Sequence, residues 1–104
     1  MKKYTLDFTD VNYYSEMHFV IKKSLDFPDY YGYNWDAFWD CLSEMYYEPV
    51  HIEIIGLDII KEKFDDSADK IIEILKRYKH FCNDKFCENI KIELVDKDGC
   101  KILE

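Results

Sequence analysis

Asp36, Asp40 and Glu44 stand four residues apart, and the stretch Tyr30-Tyr31-Gly32-Tyr33-Asn34-Trp35-Asp36-Ala37-Phe38-Trp39-Asp40-Cys41-Leu42 sets six aromatic side chains around the first two. Carboxylates so grouped could share acid and base roles in bond cleavage, ligate a divalent cation, or hold negative charge ready for a cationic partner. The spacing argues against the first use. On an α-helix, i, i+4 and i+8 lie on one convex face, whereas catalytic acid pairs converge across a cleft. A helix face also lacks the carbonyls and loop curvature of a calcium site, so magnesium would be held only loosely. No Gly-rich phosphate loop, G-x-S-x-G or H-E-x-x-H occurs. His18 falls inside a helical pattern and reads as a packed structural histidine, while His51 and His80 have no evident acid partner. These residues point to no enzyme, no cofactor and no metal site.

The third use fits the local energetics. A helix from about Asn34 to Tyr47, stopped by Pro49, places Trp35, Phe38, Leu42, Met45 and Tyr46 on a core-facing arc. Asp36, Asp40 and Glu44 take another arc, with Trp39 at the border. Asn34 is a good N-cap, and it puts Asp36 in the first turn, where the helix dipole favours an acid. Asp40 and Glu44 receive no such help, and like charges at i, i+4 cost a helix about 0.2–0.5 kcal/mol per pair. No lysine or arginine occurs between Tyr30 and Ile60. Two readings follow from the residues alone: a solvated helix face, or an acidic, aromatic-edged surface that meets a cationic partner.

The elements that must carry this face are legible from periodicity. Tyr4-Leu6-Phe8, Val50-Ile52-Ile54 and Ile90-Ile92-Leu94 alternate with polar residues and predict three strands. Met17, Val20, Ile21 and Leu25 predict a first helix with Ser15 as N-cap and Pro28 shutting it off. Gly56-Leu57-Asp58 opens a short third helix. A fourth begins after Asp65-Asp66-Ser67, with Ala68, Ile71, Ile72, Leu75 and Tyr78 on one stripe. The order β-α-α-β-α-α-β predicts a two-layer α/β fold, a small parallel three-stranded sheet with helices mainly on one face. An Asp98-Gly99 turn could add a short antiparallel C-terminal strand.

At 104 residues and 48% hydrophobic content, residues 1–104 are expected to form a single domain with a real core. No apolar run approaches the length that spans a bilayer, and the basic start is followed by Thr5, Asp7 and Asp10 rather than an apolar segment, so a cytoplasmic location is expected. Cys41, Cys82, Cys87 and Cys100 show no C-x-x-C spacing and are expected to be reduced and at least half-buried. A net charge of −8 disfavours nucleic acid and anionic membranes and attracts basic proteins.

The run from Pro28 to Asp40 resembles the signature of the barstar family, inhibitors of barnase-type secreted ribonucleases that act inside the producing cell. The family pattern is Pro-acid-Tyr-Tyr-Gly-x-Asn-Leu-Asp-Ala-Leu-Trp-Asp, and this chain departs from it mainly at Trp35 and Phe38, where leucines are usual. The likeness continues upstream through His18, Lys22, Lys23 and Leu25, and downstream through Pro49 and the next strand; beyond about residue 56 only the order of elements matches. The resemblance implies a small parallel sheet with packed helices and inhibition without chemistry, in 1:1 complexes. It implies that Asp40 takes the place of a substrate phosphate, with Asp36 a second charged contact. Tyr30 would stack near the enzyme's catalytic histidine, and Asn34, Trp35 and Trp39 would frame the contact, followed by Glu44. Met45 and Tyr46 occupy positions where many members place a tryptophan and a valine. On the fourth helix, Arg77, between Lys76 and Lys79, stands where members can offer a glutamate. That substitution leaves open an alternative, an immunity protein on the same scaffold that neutralises a different toxin.

Overall fold

A computed structural model describes residues 2–44, 50–83, 90–96 and 99–103, with side chains given for all of these except 2, 65 and 81–83. Among them the chain forms β1 (Lys2–Asp7), α1 (Tyr14–Ser24), α2 (Trp35–Ser43), β2 (Val50–Ile55), α3 (Leu57–Lys63), α4 (Asp65–Asn83), β3 (Ile90–Asp96) and β4 (Gly99–Ile102). The sheet order is β1-β2-β3-β4. The first three strands pair in parallel and β4 returns antiparallel to β3, with Val95 opposite Cys100. The helices lie in the crossovers, as parallel pairing requires, and the weaker expectation of a fourth strand is met.

Strand alternation decides which face is dry. Tyr4, Ile52 and Ile92 lie in register, as do Leu6, Ile54 and Leu94, and this face joins one hydrophobic cluster with Met17, Ile21 and Leu25 of α1, Phe38 and Leu42 of α2, Ile60 of α3, and Ile71, Leu75 and Tyr78 of α4. Removing any of the fully buried large side chains among them, such as Ile52, Phe38 or Tyr78, would cost about 2–5 kcal/mol through lost burial and a residual cavity. The other face carries the polar residues of the alternation. Lys3 and Glu53 approach to 3.5 Å and Thr5 Oγ1 donates to Glu53 at 3.2 Å. Glu93 takes His51 Nε2 at 2.8 Å, the Cys100 thiol at 2.7 Å and Lys91 at 3.5 Å. His51 therefore does have an acid partner, supplied by a neighbouring strand rather than by its own segment. The thiol and imidazole bonds hold the Glu93 carboxyl below the usual carboxylate range.

Several boundaries differ from expectation. The N-cap of α1 is Tyr13 rather than Ser15, because Glu16 Oε1 accepts from the backbone N–H groups of Asn12 and Tyr13, at 3.1 and 3.0 Å. The same helix ends at Ser24 before Pro28 acts. Asp26 adopts φ 55°, and the N–H groups of Asp26 and Phe27 donate to the carbonyls of Lys23 and Lys22, the left-handed cap that normally favours glycine. At Gly56, φ is 82° and a Cβ would come within 3.1 Å of the Thr9 nitrogen, so this strand-to-helix corner requires glycine. The fourth helix begins at Asp65, a few residues early, and Ser67 is buried within it. Cys41 is buried as expected, but Cys100 is exposed because it sits on the edge strand. No helix among the described residues is long and apolar enough to cross a membrane.

Candidate protein-binding site

The second helix is built as its sequence dictates at one end and shorter than expected at the other. Asn34 is extended, and its Oδ1 accepts from the Ala37 N–H at 2.8 Å while its Nδ2 donates to the Gly32 carbonyl at 3.1 Å. One side chain thus caps the helix and ties down the preceding loop. The helix closes at Ser43 with Glu44 as C-cap, not at Tyr47. Met45 and Tyr46 lie outside the described residues. Phe38 and Leu42 are fully buried and Cys41 nearly so, while Trp35 and Trp39 are half-buried against the same core. Asp36, Asp40 and Glu44 are all exposed, which is the division the helical wheel predicts.

None of the three carboxylates has an ion-pair partner among the described residues; the pairs that form lie on the sheet, on α4 and between Lys22 and Asp29. Their charge is felt by neighbouring groups. The Tyr30 phenol, 69% exposed, is pushed above its ordinary pKa chiefly by the charge of Glu44. The Cys41 thiol is raised by burial first and then by Glu44 and Asp40. The cation that meets α2 does not neutralise the ladder: Arg77 of α4 lies over the Trp39 ring, 4.1 Å from its centroid. Lys79, expected beside it in a basic patch, instead donates to the Leu103 carbonyl at 2.6 Å.

The loop from Pro28 to Asn34 is held from beneath by a histidine. His18 is fully buried, and its Nδ1 shares a 2.6 Å hydrogen bond with the Tyr31 hydroxyl. Its ring packs against Trp35 at 4.6 Å, Tyr14 at 4.8 Å and Tyr33 at 6.1 Å between centroids. Burial lowers its pKa to about 4 and raises that of Tyr31 well above the usual phenol, so both are neutral near pH 7. The structural reading of His18 is correct, but its place under this loop is not evident in the sequence. A signal was present: Tyr31, Tyr33 and Trp35 alternate with Tyr30, Gly32 and Asn34, and the odd members turn inward to the histidine.

The three acids share one outward face instead of converging, and among the described residues no group of three or more His, Cys, Asp or Glu is arranged to hold a metal ion. A cavity of about 270 Å³ lies elsewhere, between α3, α4 and β3, floored by Leu57, Ala68 and Ile72. The chain is 31% identical over 86 residues to a Bacillus subtilis (strain 168) protein named "Putative ribonuclease inhibitor YrdF", across 83% of this chain and 94% of that protein's length. The family model described as Barstar (barnase inhibitor) matches residues 1–94, which take in the loop, the acidic helix, β1, β2 and β3 up to Leu94, and the chain belongs to the barstar family.

Proposed function

We propose that this domain is an inhibitor of a basic, secreted, barnase-type ribonuclease, acting in the cytoplasm as a 1:1 plug for the enzyme's active site. The observation that carries this reading is the ladder of Asp36, Asp40 and Glu44, exposed and without an ion-pair partner among the described residues. Asp40, at its centre, takes the place of a substrate phosphate among the enzyme's cations. Asp36 and Glu44 flank it, Tyr30 covers one end, and Trp35, Trp39 and Asn34 fix the shape of the contact; Met45 and Tyr46 complete the edge. No bond is made or broken. Inhibition is occlusion, and charge speeds the encounter. The family membership and the relative named as a ribonuclease inhibitor support this reading.

The test is titration of a purified basic ribonuclease of barnase type with the domain. Activity should fall linearly to zero at one equivalent, and association should slow as salt rises. Asp40→Ala should weaken inhibition by a hundredfold or more (about 3 kcal/mol), while Asp66→Ala, exposed on α4, should change it less than about twofold, and neither should move Tm appreciably. Equal effects of the two substitutions, or association indifferent to salt, would refute the assignment.

A second reading, a different toxin as partner, is favoured by one observation. Arg77 brings a cation to Trp39 at the edge of the acidic face, where a uniformly basic enzyme would be repelled. Capture of the partner from the producing cells separates the two, through the presence or absence of ribonuclease activity.

A further inference from the structure

We infer that the binding surface extends past α2 onto the first turn of α1, where Tyr14 receives an arginine or lysine side chain of the same cationic partner. This rests on the reading above that the acidic face meets a basic protein. Tyr14 is the first residue of α1. Its ring stands edge-on to Trp35, 6.2 Å between centroids at 84°, and to His18, 4.8 Å at 61°. Tyr14 is nevertheless 44% exposed, and Tyr13 before it is 70% exposed.

Trp35 opens α2 and Glu44 caps its end, so Tyr14, in ring contact with Trp35, stands at the Asp36 end. At about 1.5 Å per residue, the ladder from Asp36 to Glu44 spans roughly 12 Å. An exposed tyrosine gains little from folding, and it offers a rigid ring whose negative face attracts a desolvated cation. Beside Asp36, which has no ion pair among the described residues and is one residue from Trp35, that cation would sit between a carboxylate and an aromatic face. A guanidinium suits such a place better than an ammonium because it stacks and hydrogen-bonds together. The position is continuous with the acidic face, and the chemistry on both is of one sign.

A purely structural role for Tyr14, as a lid on His18, predicts different behaviour, and two substitutions separate them. Tyr14→Leu keeps an apolar lid and removes the ring; Tyr14→Phe keeps both. The experiment follows aromatic and carboxylate NMR signals while hexa-arginine peptide is added at low salt, in parallel with inhibition of a barnase-type ribonuclease. The peptide should shift Tyr14, Trp35 and Asp36 together. Tyr14→Leu should weaken peptide and ribonuclease binding about two- to fivefold, with Tyr14→Phe near wild type and Tm unchanged in both. Shifts confined to Asp40 and Glu44, unaltered binding by Tyr14→Leu, or no peptide binding at all would overturn the inference. If the ribonuclease is not inhibited but the peptide still shifts Tyr14 and Tyr14→Leu weakens its binding, the assigned partner class fails and the cation-binding extension stands.

Discussion

Two groups of carboxylates in this protein face opposite conditions. On the open face of the sheet, Glu53 is met by Lys3 and Thr5, and Glu93 by His51, Lys91 and Cys100. On α2, Asp36, Asp40 and Glu44 are exposed with no ion pair among the described residues. Both groups sit on regular elements with their side chains projecting outward. What differs is local supply: neighbouring strands set Lys3 diagonally from Glu53 and His51 diagonally from Glu93 across the sheet, whereas α2 presents only acids and a tryptophan that Arg77 covers. A surface whose charges are balanced internally has little to gain from a cationic partner. One that is left unbalanced gains on binding what folding did not use.

Neutralising each group in turn should break the comparison cleanly. Asp36→Asn/Asp40→Asn/Glu44→Gln should abolish ribonuclease inhibition by a thousandfold or more (about 4 kcal/mol), and should leave thermal stability unchanged or slightly higher, since repulsion of about 0.2–0.5 kcal/mol per pair is relieved. Glu53→Gln/Glu93→Gln should do the reverse, lowering Tm in a thermal melt while inhibition constants hold. If the sheet variant loses inhibition as the helix variant does, the division of labour is wrong.

The loop that presents Tyr30 sharpens the contrast through pH. His18 has its pKa lowered to about 4 by burial, so the unfolded chain takes up the proton first as pH falls. Its contribution to stability is complete above the ordinary value near 6.5 and is lost progressively as pH falls toward about 4, amounting to roughly 3 kcal/mol. Urea unfolding between pH 7 and 4 should show this decline, and His18→Asn, which keeps a polar atom near the Nδ1 position, should flatten it. The depressed carboxyls of Asp7 and Glu93 contribute losses of the same sign but at lower pH, and they remain in the variant. The Tyr31 hydroxyl and the rings of Tyr14, Tyr33 and Trp35 face the imidazole.

The smallest effect concerns the cation at the border. Arg77→Ala should lower stability by about 0.5–1 kcal/mol through loss of its stack on Trp39, and should speed association with a basic ribonuclease a few-fold by removing a like charge. Stopped-flow rates measured beside thermal melts would show both. Slower association would mean that Arg77 contacts an acidic group of the partner and sets its choice.

Much of this was legible along the chain. Period-2 runs marked β1, β2 and β3, the apolar stripe of α4 ran as expected, and Asn34 capped α2 with the three acids turned outward, because such features follow from local geometry that repeats every two or every 3.6 residues. The resemblance of Pro28 to Asp40 to one family carried further information about a partner.

Only tertiary structure decided who meets whom. His51 found Glu93 diagonally across on the next strand, two residues beyond its register partner Lys91, Tyr31 turned beneath its own loop to reach His18, and Arg77 crossed from α4 to lie on Trp39. Helix ends moved for a related reason, since Glu16 and Asp26 supplied caps that no periodicity encodes. A sequence fixes which side of an element a residue occupies, but the partner facing it comes from another element, and that pairing exists only once the sheet and helices have packed.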